Sequence, residues 1–198
     1  MNLSINQPSI KQVNFYLEQW ENLEKYQDHE KSLHRLFHQY SPNNVDLKDI
    51  LLKVSVLNDF YSTNILDTWS VAKHIQSLKV DDRLRRRDLS LVNEIATVSI
   101  NNREIRHYSF ATKYCSHHYS EAYPIYDNYV SKMLYHFSKI DKFDKFSRND
   151  LRNYERFFEI INKFRKYYKL ENYSIRQIDI YLWLLGKEKF PNRYPRKN

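Results

Sequence analysis

Three residues have the types and spacing to do chemistry together: Ser109, Lys113 and Asp127, in the stretch SFATKYCSHHYSEAYPIYD at positions 109–127. Ser109 and Lys113 stand four apart, so in a helix from about Tyr108 to His118 they share one face, while Ala111, Tyr114 and Cys115 can turn inward. Pro124 fixes its own backbone and pushes the residue before it out of helical geometry, so a new helix is expected to begin at Asp127. A carboxylate in that place accepts a hydrogen bond from a backbone N–H one turn on, and the helix dipole keeps it ionised. Two uses are therefore open to Asp127, a helix cap and an acid held over a cleft, and they are compatible. For Lys113 the ordinary alternative is a solvated surface lysine.

Other clusters offer less. Arg83, Arg85, Arg86 and Arg87 form the densest positive patch, suited either to phosphate or to an exposed helix start balanced by Asp81, Asp82 and Asp88. His117 and His118 are adjacent and point to different sides, and there is one cysteine, so no metal site is expected and no cofactor is implied. The 17 tyrosines suit stacking on bases as well as core and boundary positions.

The elements that must position these residues read as helices throughout. Ser9 and Gln12 stand at capping-box spacing before Ile10, Val13, Leu17, Trp20 and Leu23, and a short helix with Leu33, Leu36, Phe37 and Tyr40 ends at SPNN. Asp46 opens a helix with Ile50, Leu51, Val54, Leu57 and Phe60; YSTNI interrupts it, and another carries Leu66, Trp69, Val71, Ala72, Ile75 and Leu78. DDRLRRRD starts a further helix with Leu89, Val92, Ile95 and Ala96, and NNRE at 101–104 is a turn. Val130, Met133, Leu134 and Phe137 define one late helix, Ser147 and Asp150 are expected to cap a long one through Phe164, and Ser174 with Gln177 caps the last. Residues 187–198 are expected to form a basic, mobile tail.

At 198 residues the chain fits one domain, read as two sub-lobes sharing a cleft, roughly 46–118 and the remainder. One glycine, Gly186, argues against Rossmann and phosphate-loop sites and against sheets joined by glycine turns. The fold class expected is all-α. A net charge of +8, from 32 Lys and Arg against 24 Asp and Glu, favours polyanionic partners. No long apolar run suggests a membrane partner, the start lacks a signal-peptide pattern, and a single cysteine fits a reducing compartment, so a cytoplasmic location is expected.

HYSFATKYCSHHYSEAYPIYDNYV resembles the catalytic-aspartate segment of the helix-hairpin-helix DNA glycosylase superfamily, in particular its 8-oxoguanine glycosylase-like branch. YPIYDNYV looks like the loop that supplies the family's aspartate, which carries that role onto Asp127. LLKVSVLNDFYSTNILDTWSVAKHI at 51–75 is similar to the family's helix, loop and helix whose polar loop enters the minor groove. On that match Tyr61, Ser62, Thr63 and Asn64 fill the gap left by an extruded base. NNREIRH stands where the family has its glycine-bearing hairpin, placing Asn101, Asn102 and Arg103 at the DNA, with Arg85, Arg86 and Arg87 as further contacts. Together the two matches cover about a quarter of the chain.

The resemblance implies a compact helix-hairpin-helix glycosylase-like fold and excision of a modified base from double-stranded DNA, with no obligate protein partner. An ungapped match puts Ser109 in the slot of the nucleophilic lysine of bifunctional members, as in monofunctional ones, with Lys113 one turn further along the same face. Substrates implied are oxidised purines or, as in phage-defence relatives, hypermodified bases such as glucosylated hydroxymethylcytosine. The rival readings are a non-catalytic DNA-binding module of the same fold and a protein-interaction module with an aromatic surface.

Overall fold

The computed structural model describes residues 5–191. In chain order these form α1 (Ile10–Glu21), α2 (Glu24–Arg35), α3 (Leu47–Tyr61), α4 (Thr68–Ser77), α5 (Val80–Arg85) and α6 (Ser90–Ala96). A hairpin of β1 (Thr97–Ile100) and β2 (Arg103–Arg106) follows, then α7 (Tyr108–His118), α8 (Asn128–Ile140), α9 (Tyr154–Tyr167) and α10 (Ile175–Lys189). Among the described residues the fold is all-α apart from that one small ribbon.

Short polar side chains set most of the helix starts. Ser9 Oγ accepts from the Gln12 N–H at 3.3 Å to open α1, Asp46 from Lys48 at 2.8 Å to open α3, and Asp67 from Ser70 at 3.0 Å to open α4. Ser174 and Gln177 exchange both bonds of a capping box before α10. Buried side chains from α1 through α10 form a single hydrophobic cluster, including Val13, Leu57, Ile75, Val92, Phe110, Met133, Phe157 and Leu182.

Several boundaries differ from the sequence expectation, each for a local reason. Leu66 precedes α4 rather than belonging to it, because Asp67 is the cap, and its side chain is fully exposed. DDRLRRRD does not run on into one helix: Arg87 has φ 58°, a left-handed turn that separates α5 from α6. Ser147 and Asp150 bond each other across the turn that leads into a short 3-10 segment, Asp150–Arg152, and the cap of α9 is Asn153, which accepts from the Arg156 N–H at 2.9 Å. α10 continues to Lys189, so the expected tail begins as helix; residues 192–198 lie outside the described residues. The turn at NNRE is tighter than a loop. Asn101 and Asn102, at φ 50° and 58°, close a two-residue hairpin with no glycine, since asparagine tolerates the left-handed region.

The SPNN segment is more than a helix breaker. Asn44, 3% exposed, lies between three helices: its Oδ1 accepts from Lys53 at 2.8 Å and from the Tyr114 hydroxyl at 2.5 Å. Its Nδ2 donates to Asp81 at 2.6 Å and lies 3.1 Å from His118 Nε2. These bonds tie α3 and α5 to α7, the helix that carries Lys113. Burial pushes the Lys53 ammonium down to about 8.

Gly186 serves a helix crossing. A Cβ there would stand 2.8 Å from Tyr129 Cβ and 2.9 Å from the Tyr129 carbonyl oxygen, so α8 and α10 meet where only hydrogen fits. Helix propensity alone would make Gly186→Ala stabilising by about 1 kcal/mol. The contact with backbone should reverse the sign, to a loss of roughly 1–3 kcal/mol as in other overpacked sites. Urea denaturation monitored by circular dichroism measures it; a stability gain would show that the two helices separate freely.

Candidate functional site

The segment 124–127 is held by side chains from three helices. The Tyr154 hydroxyl donates to the Pro124 carbonyl at 2.9 Å, and the Ile125 N–H donates to Asp179 Oδ2 at 2.8 Å. Tyr126 is bonded on both sides by α7, its N–H to Thr112 Oγ1 at 3.1 Å and its carbonyl from the Ser109 hydroxyl at 3.1 Å. Asp127 follows as the cap of α8, Oδ1 accepting from the Tyr129 N–H at 2.7 Å. It remains half-buried and lines a cavity of about 230 Å³.

That cavity gathers residues from most of the chain. Trp20 comes from α1, Tyr26 and Glu30 from α2, Tyr61 and Ser62 from the end of α3, Lys113 from α7, and Arg176, Asp179 and Trp183 from α10. Trp20, Tyr26 and Trp183 pack edge-on and stacked with ring centroids 5.1–6.1 Å apart. Arg176 forms an ion pair with Glu30, joining α10 to α2. The Tyr61 hydroxyl bonds His117 Nε2 at 2.9 Å, and burial pushes that imidazole down to about 4, so it is neutral at pH 7.

Lys113 is the unusual cation. It is 4% exposed, donates to Ser109 Oγ at 2.5 Å and lies 5.2 Å from the Tyr61 ring centroid. Burial pushes its ammonium down to about 8, against the opposing pull of the Asp127 carboxylate. Asp179, 2% exposed, is driven the other way: burial raises its carboxyl to about 7, although the Ile125 N–H favours the charged form. Its Oδ1 is buried without a hydrogen-bond partner. An amine near neutrality, a dipole-held carboxylate and a second titratable carboxyl thus share one aromatic-walled space. That set suits nucleophilic and general acid–base chemistry on a planar ligand.

Of the residues singled out from sequence, the fold brings Lys113, Asp127, Tyr61 and Ser62 to this cavity. Ser109 does not line it; its hydroxyl is engaged by Tyr126 and Lys113. Thr63 donates to Asn58 Oδ1 at 2.9 Å, and Asn64 is exposed at φ 58°. Asn101, Asn102 and Arg103 sit on the exposed hairpin and line no part of the cavity. Arg85 pairs with Asp82 and Arg83 with Asp88 and Glu94, Arg86 is exposed, and Arg87 lines a separate cavity. Glu30, Arg176 and Asp179 were not foreseen. The available signal for Asp179 was an acid among Ile175, Ile178 and Leu182 on the apolar stripe of the last helix. Among the described residues, no three His, Cys, Asp or Glu side chains are grouped to hold a metal ion. No helix of these residues is long and apolar enough to cross a membrane.

The family model HI_0787 N-terminal domain matches residues 12–122, which include Lys113 but not Asp127, Arg176 or Asp179. A Haemophilus influenzae protein described as uncharacterised is 46% identical over 146 residues, 73% of this chain and 70% of that relative. No solved structure matches.

The Lys113 shift fixes the sign of a stability effect. Its folded pKa of about 8 lies below the ordinary 10.5, so the unfolded chain binds the extra proton and stability rises with pH between those values. Lys113→Met should therefore be more stable than the wild type at pH 7, by at most about 3 kcal/mol at 1.36 kcal/mol per pKa unit. The difference should shrink above pH 8 and fade near 10.5. Denaturation of both proteins across this range checks it, and a pH-independent difference would refute the buried-amine assignment.

Proposed function

We propose that this chain, which belongs to the HI_0787 N-terminal domain family, is a DNA glycosylase that takes an extruded, modified base into the cavity beside Asp127 and Lys113. One observation carries the reading: the aspartate that the sequence resemblance marks as catalytic and a buried lysine of lowered pKa line the same aromatic-walled cavity. The resemblance, the helical fold and the net charge of +8 point the same way.

In this reading the base enters among Trp20, Tyr26 and Trp183, where a planar ring finds stacking partners. Asp127, half-buried at the head of α8, stabilises positive charge as it develops on the sugar. The resemblance, which puts Ser109 in the slot of the nucleophilic lysine, implies water as the nucleophile, with Ser109 or Lys113 orienting it. The cavity favours the Lys113 amine itself, since Lys113 lines it and Ser109 does not. The neutral amine attacks C1′ as the C–N bond to the base breaks with its electron pair leaving on the base, and the proton lost by the amine returns to the departing base. The C1′–O4′ bond then breaks as the nitrogen lone pair forms the C=N bond, its electron pair leaving on O4′, which takes a proton from solvent to become a hydroxyl. The iminium so formed can be trapped by borohydride.

Within the loop after α3, Leu66 joins the Tyr61–Asn64 stretch marked by the resemblance as the apolar candidate for the wedge. Tyr61 is bonded inward, whereas Asn58 clamps the loop through Ile65, accepting from its N–H at 2.9 Å and donating to its carbonyl at 3.0 Å. The clamp leaves Leu66 fully exposed, as an apolar side chain that replaces an extruded base must be.

Wild-type, Asp127→Asn, Lys113→Gln and Leu66→Ala proteins are to be incubated with duplexes carrying oxidised, alkylated, deaminated or hypermodified bases. Asn preserves the cap, so Asp127→Asn should fold and bind yet lose excision by about 10²-fold or more, the scale of one lost charge-stabilising group. Borohydride should trap wild type and not Lys113→Gln. Strand cleavage that needs alkali and no trapping would assign water as the nucleophile. Leu66→Ala should leave thermal stability unchanged and slow excision. Excision retained in Asp127→Asn, or absent from every substrate in the wild type, would overturn the proposal.

A further inference from the structure

The Arg176–Glu30 pair is a wall common to two cavities. On it also abuts a groove of about 620 Å³, lined by Lys31, His34 and His38 from α2 and the π-helical turn after it, by His117 of α7, and by Arg87. His34 and His38 are one turn apart with ring centroids 4.7 Å from each other, and Tyr26, Glu30, His34 and His38 fall on one stripe that leads from the first cavity into this groove.

The charges here are uncommitted in a way that those nearby are not. Arg83 and Arg85, from the same arginine run as Arg87, are each bonded to a carboxylate. Arg87 is carried on a left-handed turn that breaks the run, and it and exposed Lys31 make no ion pair among the described residues. Of the acids in the lining, Glu30 is engaged by Arg176, which leaves Glu121. Unpaired cations in a groove that adjoins the first cavity, with imidazoles in the same lining, match a chain of singly charged phosphates.

We propose that this groove seats the phosphodiester backbone flanking the nucleotide whose base occupies the first cavity, with Lys31 and Arg87 as the charge contacts and His34 and His38 as hydrogen-bonding partners. The assignment rests on the glycosylase reading. It puts the nucleic acid across α2 and the α5–α6 turn, and not on the exposed hairpin of Asn101–Arg103.

Anisotropy of a labelled duplex containing an abasic-site analogue, titrated across a range of salt concentrations, tests it. Each phosphate contact contributes about 0.9 to the slope of log K against log salt. Lys31→Ala with Arg87→Ala should lower the slope by roughly 2 in the double variant, equally for every sequence, while melting unchanged. Glu121→Gln should tighten binding, and Arg103→Ala should have no effect. Unchanged slope and affinity in the double variant, with wild-type binding salt-dependent, would overturn the groove and leave the glycosylase reading standing. Wild-type binding indifferent to salt would overturn both.

Discussion

Four hydrogen bonds to the backbone of Pro124, Ile125 and Tyr126 decide where the site can be. They come from α7, α9 and α10, so one irregular segment is fixed against three helices at once. Each contributes about 1 kcal/mol net, but a buried amide left unmatched costs roughly 1–3 kcal/mol, so the segment has little freedom to adopt another path. Asp127 inherits its place from this anchoring, and α8 inherits its start from Asp127. The bonds also explain why α7 and α10 are polar at Ser109, Thr112 and Asp179, although all three lie on faces turned toward protein.

The same anchoring accounts for a concentration of charge that a small core would otherwise reject. Ions buried in low dielectric are costly unless paired or hydrogen-bonded. Glu30 and Arg176 meet that condition as a pair through one Glu30 oxygen; Lys113 meets it through Ser109 and the nearby carboxylate of Asp127; Asp179 meets it with one oxygen, and both Glu30 and Asp179 leave their other oxygen bare. The residual strain appears as opposed displacements, the amine drawn down and the carboxyl drawn up, both because the charged form has lost water. The single hydrophobic cluster supplies the stabilisation that offsets this cost.

What could be read from the sequence follows the range of the forces concerned. Helix starts at Ser9, Asp46, Asp127 and Ser174 depend on neighbours within one turn, and all four were legible. So was the face shared by Ser109 and Lys113, whereas the meeting of Asp127 with Lys113 depends on the contacts that hold the 124–127 segment against α7, which no local pattern shows. Asn44 read only as turn chemistry, because its partners Lys53, Asp81 and Tyr114 come from three separate helices. Arg176 and Glu30 escaped for the same reason, being 146 residues apart. The arginine run was legible as a cluster with balancing acids, but not how it divides: Arg83 and Arg85 are paired locally, while the left-handed backbone at Arg87 carries that side chain to the second cavity.

Leu66 carries a thermodynamic consequence. A leucine side chain wholly in water forgoes about 1.5–3 kcal/mol relative to burial, and most exposed leucines recover part of it by folding back onto their neighbours. Here the Asn58 clamp fixes the backbone beside it, with Ile65 held 4% exposed, and Leu66 stands wholly clear of its neighbours. The free protein thus leaves one apolar side chain fully hydrated at one point of its surface. Any apolar partner that covers that point gains the full release, with almost no conformational entropy lost in the loop.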